Sequence, residues 1–294
     1  MANQMLMKNL EERGRVYGYI GVLFLVSWSI QILAIVLLGD VNKKTASLWL
    51  VATMVSPFFV TLFFLARNKE WKQKLLWKPD RQIFLTSFLA VLVPILLGFS
   101  TLLIIEHFNF GKSGWFDFSA SVPSISGGPF LLGKGSQPWL LFVSNVFLTG
   151  FVFALVNATV ATGEEFAWRG LLQPLLVDRF GLIKGVTLLG LLWSFWHLPI
   201  LLNGYNYPES PVLGGFILFP IRLIATSYFY AWLTYKSRSF IPASIAHGAL
   251  NGIQTAVIQN IEMSVHPLYE NLITIGLTVL VGLFFLFLTV RAFK

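Results

Sequence analysis

Two adjacent carboxylates, Glu164 and Glu165, stand at the end of an apolar stretch, Trp139 to Ala161, that carries no ionisable side chain. An acidic charge near the middle of a bilayer costs roughly 2.5–3.5 kcal/mol on insertion scales, so such a pair marks a functional position by default. On a helix, Glu165 and Arg169 lie four residues apart and face each other, while Glu164 points about 100° away. That spacing pairs one carboxylate with a guanidinium and leaves the other for chemistry. Downstream, His197 ends the segment Trp193-Ser194-Phe195-Trp196-His197, and His247 and Asn251 share one helical face. An acid, two imidazoles and an amide supply a base for water, a proton shuttle and donors for an oxyanion, a set sufficient for amide hydrolysis.

The frame that must position these groups is a membrane one. Of 294 residues, 56% are hydrophobic and 12% charged, and the mean hydropathy is +0.73, against about 25% charged residues in soluble domains. The expected fold is all-α: a polytopic bundle of about eight transmembrane helices, one integral membrane domain over residues 1–294, with its motif-bearing core at about 139–260. The formal charge of +8 is accounted for by basic cytoplasmic loops and requires no nucleic acid. Twenty-eight Phe and ten Trp suit contact with membrane lipid. The absence of cysteine excludes disulfides and thiolate metal sites. The first apolar run, Tyr17 to Leu38, is too long for a signal-peptide core and reads as a retained anchor.

The eight spans fall at about Tyr17–Leu38, Leu48–Ala66, Ile83–Ile105, Trp139–Ala161, Leu182–Leu202, Val212–Tyr235, Phe240–Gln259 and Leu268–Val290. The Ser-, Gly- and Pro-rich connection from Lys112 to Pro138 reads as a loop. Phe166 to Phe180 reads as a shorter amphipathic helix interrupted at Pro174, with Arg169, Asp178 and Arg179 on its polar side. With both termini in the cytoplasm, sixteen of the twenty-one Lys and Arg, Lys8 and Lys294 among them, fall inside. Lys43, Lys44, Lys112 and Lys134 fall outside, and Arg222 lies within a span. That asymmetry favours this orientation over its inverse, in the plasma membrane. Asn157 is assigned to helix packing, Arg222 to a structural pairing and His266 to no role. One difficulty is geometric: on straight helices Glu164 lies near the inner surface, whereas His197 lies about 22 Å beyond Leu182.

Glu164-Glu165-x-x-x-Arg169, then an aromatic followed four residues later by His197, then His247-x-x-x-Asn251, in that order, resemble the three motifs of the CAAX protease and bacteriocin-processing (CPBP) intramembrane proteases. That group includes the type II CAAX prenyl endopeptidases and the bacterial Abi proteins of bacteriocin processing and self-immunity. The resemblance runs over roughly Phe151 to Ile258. Trp193 stands where the family pattern usually has Phe, a departure that keeps an aromatic ring. The resemblance implies that Glu164 activates water with the help of His197, that His247 and Asn251 stabilise the oxyanion, and that Glu165 and Arg169 orient the site. It implies a peptide or membrane-protein substrate and leaves the oligomeric state unspecified. The expected chemistry needs no cofactor. The alternative is zinc held by Glu164, His197 and His247, with an open fourth position, although no H-E-x-x-H helix is present. Two other classes use the same polar residues differently: a transporter or channel lined by them, and a catalytically silent immunity scaffold.

Overall fold

The computed structural model describes residues 2–39 and 47–292, with side chains from residue 12 onward. Asp40, Lys43, Lys44, Lys294 and the side chain of Lys8 therefore lie outside the described residues. In chain order the helices are α1 (Ala2–Leu38), α2 (Ser47–Arg67), α3 (Lys69–Lys74), α4 (Ile83–His107), α5 (Trp139–Glu165), α6 (Gln173–Phe180), α7 (Leu182–Trp196), α8 (Leu198–Leu202), α9 (Pro211–Leu213), α10 (Phe219–Ser237), α11 (Ile241–Ala256) and α12 (Leu268–Ala292). Wider π-helical turns join α5 to α6 (Phe166–Leu172) and α9 to α10 (Gly214–Leu218).

The chain is an all-α, polytopic membrane protein. Among the described residues six helical runs are long and apolar enough to cross a bilayer, beginning at Glu12, Ser47, Ile83, Trp139, Pro211 and Leu268. The remaining two of the eight expected spans are shorter. α7 has 15 residues and α11 has 16, about 22 and 24 Å of helix against about 30 Å of hydrocarbon. These two short helices carry His197 at the end of one and His247 and Asn251 within the other.

The chain forms two compact units. The first comprises Met1–Leu76 and Thr162–Ile224. Within it α1 packs along α2 and is tied there by buried hydroxyl pairs, Tyr19 Oη to Thr61 Oγ1 and Ser27 Oγ to Ser56 Oγ, both at 2.7 Å. Such bonds hold membrane helices together where apolar contact alone gives little preference over lipid. The expected break after Ala161 is absent: α5, the π turn and α6 form one run from Trp139 to Phe180, 42 residues long. Pro174 does not interrupt it. A proline has no N–H to offer the carbonyl four residues back, here Gly170; that carbonyl instead accepts the Leu76 N–H at 2.9 Å. The run ends at Gly181, whose φ of 77° is a left-handed value natural to glycine, and α7 starts at the next residue. Phe166–Phe180 is thus a continuation of the fourth span, and α6 and α7 pack as a hairpin.

The second unit comprises Trp77–Ala161 and Ala225–Lys294. Here α4 packs on α11 and α12. The connection expected to be a loop contains short strands: β1 (Gly111–Ser113), β2 (Phe116–Asp117), β3 (Ser124–Ile125) and β4 (Gly135–Ser136), with β5 (Ile261–Met263) after α11. β1 pairs with β5, and β2, β3 and β4 form a second sheet, all antiparallel. Clustered rings of Phe99, Phe116, Phe118, Phe130 and Phe142 hold this cap down. Asn145, fully buried, ties it to α5 by accepting from Leu132 N and donating to Gly133 O, each at 2.9 Å.

Candidate active site

In the first unit, the helical spacing of Glu165 and Arg169 produces the pair it suggests. Arg169 Nη1 lies 3.1 Å from Glu165 Oε1 and 3.0 Å from Oε2, with both side chains fully buried. Arg169 therefore does not sit on an outward polar face with Asp178 and Arg179. A buried ion pair costs several kcal/mol of desolvation per ion and persists only where further contacts compensate; one is the Trp193 ring, which lies 4.0 Å beneath the guanidinium. Glu164 is 1% exposed, and its Oε2 accepts the Trp193 indole N–H at 2.7 Å. His197, immediately after α7, places Nδ1 2.8 Å from the Trp193 carbonyl. A carbonyl can only accept, so Nδ1 carries the proton, and in the neutral ring Nε2 holds the lone pair.

Glu164 and His197 therefore share one neighbour, and the depth conflict posed by straight, separate helices disappears. Glu164 precedes the Gly181 turn by 17 residues and His197 follows it by 16, so the hairpin brings both to one level. The end of α7 is pinned as well: the Trp196 carbonyl accepts from Trp28 Nε1 at 3.1 Å and from Gln31 Nε2 at 2.9 Å, both on α1. The imidazole is walled by the rings of Trp196 and Phe219, with centroids at 4.6 and 5.1 Å. Tyr205, in the loop after α8, is held by burial above its ordinary phenol range; the Glu164 carboxylate adds to that shift and Arg222 opposes it. Among the described residues the buried Ser194 hydroxyl and both polar atoms of the Gln173 amide have no protein partner, as befits groups that bind internal water.

In the second unit His247 is 7% exposed, with the Tyr230 ring 6.3 Å away between centroids, and Asn251 on the same helix is exposed. Asn251 and Asn157 are among the polar groups lining an otherwise apolar cavity of about 290 Å³, walled by residues such as Phe99, Trp115, Phe130 and Ile253. Asn157, assigned to packing by sequence, thus also faces that cavity. Each half of the motif set is flanked by a glycine at a close approach. A Cβ on Gly163 would meet Met54 O at 2.5 Å. One on Gly248 would strike Ala154 O and Ala158 N, the latter at 2.6 Å. Among the described residues no group of three His, Asp or Glu side chains that could hold a metal ion is found.

Residues 135–253 match the family profile described as type II CAAX prenyl endopeptidase Rce1-like. A curated relative, CAAX prenyl protease 2 of Methanococcus maripaludis, is 26% identical over 215 residues, covering 67% of this chain and 68% of the relative. These two similarities support the resemblance to the CPBP family that the motifs carry. The profile match contains all six motif residues, Glu164, Glu165, Arg169, His197, His247 and Asn251. It stops short of α1, which supplies Trp28 and Gln31. Sequence reasoning missed those two and the donor role of Trp193. Gln31 carried a signal, as an amide within an apolar run; the two indoles carried none, because Trp is equally at home against lipid.

Proposed function

We propose that the chain is an intramembrane endopeptidase that hydrolyses a peptide bond in a membrane-associated polypeptide without a metal. The observation that carries this reading is the buried cluster in which Trp193 contacts both Glu164 and His197. Glu164 takes a proton from water while His197, through Nε2, holds that water. The water oxygen bonds to the scissile carbonyl carbon, whose oxygen becomes an anion; the family resemblance assigns the stabilisation of that anion to His247 and Asn251. The C–N bond then breaks, and the proton held by Glu164 passes to the leaving nitrogen. Glu165 and Arg169, locked to each other, keep the helix face that presents Glu164 in register. The apolar cavity beside Asn251 suits a substrate with an apolar segment, and the name of the Methanococcus relative, a CAAX prenyl protease, makes lipidated CAAX tails the first to assay. The charge asymmetry of the loops supports both termini in the cytoplasm of a plasma-membrane protein.

The test is cleavage in proteoliposomes, read by mass spectrometry with lipidated and unlipidated peptides. Glu164→Ala and His247→Ala are expected to lose cleavage while inserting normally; full activity in both would sink the reading. Activity is expected to survive a chelator. Loss that zinc restores would move the chemistry to a metal. Because the native chain has no cysteine, single cysteines placed at Arg15 and Arg291 and labelled from one side report the orientation directly.

A further inference from the structure

We propose that Trp193 is a positioning residue that sets the geometry of the water-activating pair, its indole N–H fixing the Glu164 carboxylate and its backbone carbonyl fixing the tautomer of His197. This rests on the peptidase reading above for its consequence, but the contact itself does not. By sequence Trp193 keeps an aromatic ring and nothing more. In the structure its contacts include the 2.7 Å bond from Nε1 to Glu164 Oε2, the ring face 4.0 Å under Arg169, and the carbonyl 2.8 Å from His197 Nδ1. Only the first needs an indole. A phenyl ring offers Arg169 a similar face, and any residue supplies the carbonyl. The donor is 3% exposed, and a hydrogen bond to an ionised carboxylate at such depth is short and about twice as strong as a neutral one. A carboxylate held at one oxygen cannot rotate about its last bond without losing that bond, so its other oxygen is aimed. Removing the donor loosens that aim, a loss felt in turnover and not in substrate binding.

Trp193→Phe removes the N–H and keeps the ring. It is expected to lower kcat by roughly ten- to a hundredfold, the rate equivalent of one charge-assisted bond, with KM within about twofold and the unfolding temperature near that of the unaltered protein. Trp193→Leu, which also removes the ring under Arg169, is expected to lower the unfolding temperature in addition. Unchanged kcat in Trp193→Phe, in a protein whose activity Glu164→Ala abolishes, overturns the proposal and leaves the peptidase reading intact. A rise in KM equal to the fall in kcat/KM overturns it too. The indole N–H resonance, assigned by its disappearance in Trp193→Phe, supplies a readout independent of cleavage. It is expected downfield of unbonded indoles in the full-length protein and shifted back in Glu164→Ala. A resonance that does not respond to Glu164→Ala overturns the contact itself.

Discussion

The acidic part of the motif set and its imidazole–amide part are built on opposite plans. Glu164, Glu165 and Arg169 are sealed, none more than 1% exposed, and each is engaged by a named neighbour within the first unit. Asn251, in the second unit, stands exposed on the wall of an apolar cavity, four residues from a His247 that is only just buried. A carboxylate that must hold one orientation in a low dielectric needs fixed partners, since every unpaired buried charge is costly. Under the proposed mechanism, a donor that meets an oxyanion belonging to the substrate has to face open space before the substrate arrives. The first part is preorganised and the second receptive, so the same kind of substitution is expected to injure them differently.

The largest contrast should come from Arg169→Leu, which takes from buried Glu165 the cation paired with it. Breaking a buried pair at one end costs about 3–5 kcal/mol, so this variant is expected to lose folded protein, read as a fall in unfolding temperature in detergent and in the yield of monodisperse protein. Asn251→Ala should do the reverse, keeping the unfolding temperature while kcat falls by about 10²–10³-fold, the usual effect of deleting one oxyanion donor. A stable Arg169→Leu or an unstable Asn251→Ala would break the comparison. The smallest effect sharpens it at the exposed edge of the first unit, where Lys74 Nζ lies 3.0 Å from Asp178 and 3.5 Å from Glu12. Partial burial lowers the affinity of that amine for its proton, but the two carboxylates outweigh it, so its pKa is raised above the ordinary 10.5. The stabilisation is therefore complete below that value and is lost as pH rises through the folded-state value. Being partly solvated, the pair is worth at most about 1 kcal/mol. Lys74→Ala is expected to lower stability slightly at pH 8, and that difference should vanish in strongly alkaline solution.

How much could be read in advance varied by element. The apolar runs that begin α2, α4 and α12 were legible because lipid demands an unbroken stretch of suitable length and little else. The run through Pro174 was not. A proline reads locally as a break, and only a donor from far along the chain, Leu76, makes the freed Gly170 carbonyl harmless. The strands over the second unit were illegible for a similar reason, since a two-residue strand such as Phe116–Asp117 has no period to detect and exists through its partner. At the site, the four-residue step from Glu165 to Arg169 announced its ion pair because a helix converts sequence distance directly into contact.

The sequence by itself determined that this is a helical membrane protein and that Glu165 and Arg169 pair, because length, hydropathy and helical periodicity act locally along the chain. Only the tertiary structure decided that Glu164 and His197 meet at Trp193, and that α1 pins the end of α7. Those contacts depend on where Gly181 folds the chain back and on which N–H finds which oxygen across distances of 29 and 165 residues. No local pattern records such pairings, since a hydrogen bond between remote residues is selected by the packing of whole helices.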